Sequence, residues 1–456
     1  MSHFIVAGAG HGGLTAARHL ASAGHTVEVI EQKAENELGY DWTDVAEPHV
    51  CSRNGFEDPP AECFSDAYWN SLISPSKRSI KRPPMLKCRE MHIWRKELLR
   101  RLVGGCKAVG VAFRFETTLL GPLTEGARVV GVRTDRGDFR ADMVIDAAGG
   151  LSPIRQGLPA STLVPREIGD TQLFHCWRGL FERLPGEDPQ DHFKTYFYHM
   201  GRVGLSWAIA DPEHIDILIG SLNGPLAQEE IDVALEDLRE DNPLLGTKLL
   251  HGGSRGVIPV RRPLGVMVAD GYAAVGDSAA MSDAFGGSGI NLAMDAGSLL
   301  ARVILEECRG DYGAAKLWKY QYTFFTWKPP AEFPEGVGAK PAEAKAETDV
   351  LKSFLVTLRP DEVELLFTRN ILTVELAFLG QALGPADALK LVLRNLDKMG
   401  LLAKLAKMLS AGGKIKKLTR RIPAVYDPAA VAEWAGAYEA FGRAGVITSK
   451  STKTGQ

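Results

Sequence analysis

The pattern of apolar and polar positions is clearest at the N-terminus. Phe4, Ile5, Val6 and Ala7 form a continuous apolar run, as a strand covered on both faces requires. Leu14, Ala17, Leu20 and Ala21 then recur at helical spacing, and Gly24 is placed to end that helix. Val27, Val29 and Ile30 predict a second strand closing on Glu31. Residues 91–103 carry Leu98, Leu99 and Leu102 on one side and predict a helix. Strands are predicted over 113–119, 128–134 and 139–146, the last two around a turn at 135–138.

Residues 172–181, 193–200, 204–210 and 214–221 read as an antiparallel sheet, and such a sheet in mid-chain implies an inserted domain. Strand, turn and helix return over 271–304, and from Val350 onward the pattern is mostly helical. Residues 34–88 lack a clean period and predict an irregular excursion, in which Tyr40, Trp42 and Trp69 either line a pocket or pack the excursion down. Residues 328–349, rich in Pro, Ala, Glu and Lys, predict an exposed linker, and the tail after Ser449 a loose end.

A chain of 456 residues suits two or three domains. The net charge of −3 gives no reason to expect a nucleic-acid partner. Six scattered cysteines without a C-x-x-C pair suggest no metal or iron–sulfur site and reduced thiols in a cytoplasmic protein. The first apolar run is a strand rather than a leader, and no stretch reaches the roughly 18 uncharged apolar residues of a membrane helix. Residues 390–421 are basic and amphipathic, which suits either a solvated surface helix or peripheral contact with anionic lipid.

Three motifs carry the chemistry. Gly8, Gly10 and Gly13 form G-x-G-x-x-G between a strand and a helix: one glycine permits the turn, one admits a pyrophosphate, and one lets helix and strand pack closely. Glu31 follows at the distance at which a carboxylate reaches the ribose beside those phosphates. The second motif is AAGGLSPIR, ending at Arg155. In the third, Asp277 follows a strand and is placed to hold a sugar hydroxyl, and Gly286, Gly287 and Gly289 open a helix near Ile290 and Asn291.

Together these stretches resemble the flavoprotein fold of the aromatic hydroxylases and, more closely, the geranylgeranyl reductases. The lead-in GGSRGVIPVRRPLGVMVADG is similar to that of the reductase branch. The resemblance implies an α/β protein with a Rossmann-like FAD-binding domain from residues 1–170 and 255–310. An antiparallel-sheet substrate domain would be inserted at 171–254, with a mostly helical region at 311–456. It further implies that Gly8, Gly10 and Gly13 cradle the FAD pyrophosphate and that Glu31 binds the adenosine ribose. Arg95 would flank the cofactor, Asp277 contact the ribityl chain or phosphate, and Gly289, Ile290 and Asn291 meet the isoalloxazine edge.

The departures from the family pattern fall near the ring. Ala280 stands where hydroxylases often have histidine, and Asp283-Ala284 replaces the proline that faces the flavin. Asp283 is therefore a candidate acid, the alternative being an aspartate that satisfies backbone N–H groups of its loop. The segment GLSWAIA keeps Trp207 of a family motif, and Trp207 and Tyr196 are candidate walls of an apolar pocket. No second nucleotide motif is present, so the expected reductant is NAD(P)H admitted transiently or a protein electron donor. The expected activity is reduction of a C=C bond in a small apolar, isoprenoid-like substrate. The alternatives are hydroxylation of a small organic molecule through a flavin hydroperoxide, or a flavin redox protein acting with a partner.

Overall fold

The computed structural model describes residues 1–66, 70–82, 89–284, 287–327, 340–369 and 396–442. Trp69, Gly286, most of the expected linker and the tail after Ser449 lie outside these residues.

The apolar run His3–Ala7 is the middle of a six-stranded sheet. Across it the order is Val268–Ala269, Tyr272–Ala274, Met143–Asp146, His3–Ala7, Thr26–Ile30 and Ala112–Arg114. All pairs are parallel except the first. Phe4, Ile5, Val6 and Ala7 are wholly buried, as the unbroken apolar run requires. Ala7 is in register with Ile30 and Asp146, and Asp146 with Ala274. The chain therefore leaves four strands at one level, and the loops bearing Gly8, Glu31, Ala147 and Asp277 emerge from a single edge.

The helices after the two glycine turns, His11–Ser22 and Ile290–Val303, pack backbone to backbone. A Cβ on Gly12 would lie 2.6 Å from the Ala293 carbonyl oxygen, and one on Gly297 only 2.2 Å from that of Gly12. Small residues thus bring two helix starts, far apart in sequence, side by side.

A seven-stranded sheet lies beyond, in the order Leu245–Pro259, Leu173–Arg183, His214–Ser221, Leu205–Ala210, Phe193–Phe197, Asn70–Ile73 and Ile80–Lys81. It takes two strands from residues 70–81 and its first strand runs to Pro259, so it reaches past the 171–254 span expected from sequence. One face packs on helix Gln228–Asp241 through Trp177, Tyr196, Ile217 and Ile219.

Three further expectations are corrected. Arg89–Trp94 is a strand between Thr43–Ala46 and Phe64–Asp66, and the helix begins only at Arg95. Met91 and Ile93 are buried at alternate positions, the period of a strand, but this stretch is too short for that period to stand out against the helix that follows. Residues 34–88 are accordingly not a wholly irregular excursion. Finally, Pro341–Leu355, part of the expected linker, is a helix with Ala342, Lys345, Ala346 and Asp349 buried. Its Ala, Glu and Lys are good helix formers, and buried ion pairs such as Arg262–Asp349, at 2.6 Å, offset the charge. Among the described residues no helix is long and apolar enough to cross a membrane.

Candidate functional site

Gly8 turns the chain at φ +89°, a left-handed conformation open to glycine at little cost. A Cβ on Gly10 would lie 2.8 Å from the Ala147 carbonyl oxygen, and one on Gly13 2.5 Å from Ala147 Cβ, so the first turn rests on the second motif. The helix that follows has Gly10 at its N-cap, no capping side chain and no acid in its first turn. Its leading N–H groups are left for an outside anion. Glu31 is drawn to this turn: Oε2 accepts from the Ala9 N–H at 2.9 Å and Oε1 from the Lys33 N–H at 2.9 Å.

The third motif repeats the arrangement. Helix Ile290–Val303 starts after Gly289, again uncapped and without an acid in its first turn. The Asn291 side-chain oxygen is taken by the Glu47 N–H at 3.0 Å, which ties this helix start to the segment after strand Thr43–Ala46. Asp277 accepts from the Ser282 hydroxyl; burial raises its pKa, against which Ser282 and Arg95 act. Buried Asp146 joins the motifs, accepting from Tyr272 Oη at 2.8 Å, Ser278 Oγ at 2.9 Å and Ser152 Oγ at 2.6 Å. Arg155 adds a bond to the Ser278 carbonyl at 2.8 Å.

Arg95 stands between the turns. Its Nη2 donates to Asp44 Oδ1 at 2.7 Å, and its guanidinium lies 5.4 Å from the Tyr40 ring and 5.8 Å from the Trp42 ring. Those rings stack on each other at 4.2 Å. Burial alone would raise the Asp44 pKa, but Arg95 holds it below the usual carboxylate range. Burial first, and the Arg95 charge second, push the His11 imidazole down to about 4, and among the described residues its buried Nε2 has no hydrogen-bond partner. The donor set fits an extended dinucleotide such as FAD: two uncapped helix starts, a turn with no room for side chains, and an orphaned ring nitrogen beside it.

An apolar cavity of about 170 Å³ opens on the other face of the seven-stranded sheet. Phe174, Phe193 and Trp207 line it from the sheet, Leu355 and Val356 from the end of helix Pro341–Leu355 and the residue after it, and Ala284 and Gly287 from the loop after Asp277. Trp207 is therefore a cavity residue. Tyr196 is not: successive side chains of a strand point to opposite faces, and Tyr196 belongs to the cluster against helix Gln228–Asp241, with its hydroxyl accepting from Asn242 at 3.1 Å. Asp283, next to the cavity residue Ala284, faces helix Pro341–Leu355, its Oδ2 accepting from Thr348 Oγ1 at 3.4 Å.

Sequence reasoning missed Asp44, Thr348 and Lys345. A tyrosine–tryptophan pair followed by an acid at alternate positions was the available signal for Asp44. Pro341 at a helix start, followed by Ala and Lys at helical spacing, was the signal for the other two.

The fold is the one shared by FAD-dependent oxidoreductases, and the chain is similar in sequence to reductases. Residues 6–61 match the model of the NAD(P)-binding Rossmann-like domain. Among curated relatives, the chain is 28% identical over 315 residues to a digeranylgeranylglycerophospholipid reductase of Haloferax volcanii, covering 65% of this chain and 74% of that protein. Among solved structures, a geranylgeranyl bacteriochlorophyll reductase-like protein of Thermoplasma acidophilum superposes with TM-score 0.66 at 19% identity, over 89% of this chain and 99% of that one. A flavin-dependent brominase superposes with TM-score 0.55 at 15% identity, over 83% and 93%.

Proposed function

We propose that this protein reduces a C=C bond of an apolar, isoprenoid-like substrate with FAD as its cofactor. Gly8, Gly10 and Gly13 hold the pyrophosphate and Glu31 the adenosine ribose. Arg95 flanks the cofactor, Asp277 meets the ribityl chain or phosphate, and Gly289, Ile290 and Asn291 meet the ring edge. When bound, FAD supplies the hydride. Trp207 and the other cavity walls orient the alkene and exclude water, and Asp283 is the proposed source of the accompanying proton. The observation that carries the reading is the cavity itself: it is lined mostly by apolar side chains, with Ala284 and Gly287 in the loop between Asp277 and the uncapped helix start among its walls.

An engineered cavity of about 150 Å³ holds benzene, so 170 Å³ accommodates a fragment near one isoprene unit. A longer chain extends past Leu355 and Val356. Helix Met399–Thr419 packs through Leu401, Leu402 and Leu405 on the cluster containing Phe197 and Tyr198, both of which line the cavity. Its outer side exposes Lys407, Leu409, Lys414 and Lys417, and we assign it the edge that meets anionic lipid. The reductant is NAD(P)H or a protein donor that does not stay bound.

Anaerobic titration of the flavin-loaded protein with NADH, NADPH and dithionite, followed by addition of a geranylgeranyl substrate, tests the proposal. Reoxidation of the flavin with matching loss of alkene supports it. Reoxidation only on admitting oxygen, with substrate-dependent oxygen consumption, rejects it for a monooxygenase. Asp283→Asn with unchanged turnover and intact FAD removes the proton role.

A further inference from the structure

The fold buries many charged side chains, and nearly all are matched. Asp349 meets Arg262 and Lys352, Glu439 meets Arg261, Asp295 meets Arg53, and Asp216 meets Arg178. Lys345 differs. It is 92% buried, with 8% of its surface exposed. Among the described residues its ammonium makes neither a hydrogen bond nor an ion pair within 4 Å. Lys352, one face-repeat further along the same helix, donates to the Val260 carbonyl and faces Asp349 at 3.3 Å.

The surroundings say what the unmatched charge faces. Thr348, one turn after Lys345, reaches Asp283 Oδ2 at 3.4 Å, so this face of the helix lies on the loop of the third motif. The charges that act on Lys345 are those of Asp283 and Asp277, against a larger effect of burial that lowers its pKa. The loop is closed by the Asp283 N–H bonding to the Ser288 carbonyl at 2.7 Å and the Gly287 N–H bonding to the Asp283 carbonyl at 3.1 Å. It leads directly to the helix start at Gly289 and Ile290. A buried cation without a partner lowers stability unless an anion arrives to meet it.

We infer that Lys345 supplies a positive charge to the isoalloxazine pocket and favours the reduced flavin, which carries negative charge that the oxidised ring lacks. This rests on the assignment of residues 277–291 to the flavin made above. Lys345 is thereby an electrostatic tuning residue carried by a helix outside the cofactor motifs, and it makes the flavin a better acceptor for the incoming reductant. It takes no part in the transfer itself.

The test is the midpoint potential of bound FAD, read against a reference dye in the flavin-loaded parent and in Lys345→Met, Lys345→Gln and Lys345→Arg. The two neutral variants should lower the reduced-to-oxidised ratio at fixed potential at least tenfold, which is about 30 mV for a two-electron couple. Lys345→Arg should stay within threefold of the parent. Two neutral variants guard against misfolding of one, and removing an unmatched buried charge should leave the apoprotein at least as heat-stable. FAD bound in the parent with a potential unmoved by either neutral substitution overturns the inference alone. A parent that binds no FAD overturns the assignment beneath it and the inference together.

Discussion

Gly297→Ala probes the packing that joins the two glycine turns, at a residue two turns into its helix and away from the cofactor motifs themselves. The new Cβ would lie 2.2 Å from the Gly12 carbonyl oxygen, 3.0 Å from its carbonyl carbon and 3.0 Å from Thr15 Cβ. Two of these are backbone atoms of a helix and cannot swing aside, so the helices must part by about 1 Å to regain ordinary contact. Overpacking of this kind costs about 1–3 kcal/mol, and the better helix propensity of alanine returns at most about 1 kcal/mol. We expect a fall in Tm of several degrees and a larger loss in FAD affinity, because both helix starts move against the dinucleotide. Gly412→Ala is the matched control: Gly412 lies in helix Met399–Thr419 with open space at its Cβ position, and the change should stabilise by about 1 kcal/mol. Thermal melts and FAD titration of both variants decide the matter. A Gly297→Ala protein as stable as the parent, with unchanged FAD affinity, refutes the claim that close packing of these helices builds the site.

Trp207→Ala should enlarge the cavity and raise KM for an apolar substrate while leaving the FAD spectrum intact; a spectral change with unchanged KM would place Trp207 elsewhere. Arg95 holds the Asp44 carboxyl below its ordinary pKa, so the pair stabilises the fold fully above about pH 4 and that stability is lost as pH falls through the lowered value. Asp44→Asn should remove this acid limb from a plot of stability against pH, and an unchanged limb would assign it to other groups. Arg262→Ala strips a buried partner from Asp349 and three carbonyl contacts from the last helix, Pro428–Ala440, and its end. Breaking such a pair costs about 3–5 kcal/mol, and proteolysis should then cut first near that helix.

What was legible in the sequence was local. Strand, turn and helix over His3–Ser22 are encoded in neighbouring residues, and the turn has to hold glycine because Gly8 is left-handed and Gly13 abuts Ala147. Trp207 was legible through its segment. What failed depends on distant partners. Trp207 stands opposite Thr195, which lines the cavity, whereas Tyr196 stands opposite Ser206 on the other face; pairing register alone separates the two aromatics. Asn70–Ile73 is four residues of mixed polarity and becomes a strand by pairing with Phe193–Phe197. Pro341–Leu355 reads as solvated because its charges are numerous, and Arg262, 87 residues earlier in the chain, together with Lys352 of the same helix makes burial of Asp349 tolerable.

In the proposed site, two separated glycine turns grip the two ends of one molecule. Calorimetric titration of flavin-free protein with FAD and, in parallel, with FMN tests this most directly. FAD should bind tightly and FMN at least a hundredfold more weakly, because FMN lacks the adenosine end assigned to Gly8–Gly13 and Glu31. Equal affinity for the two, or no heat with either, would contradict it.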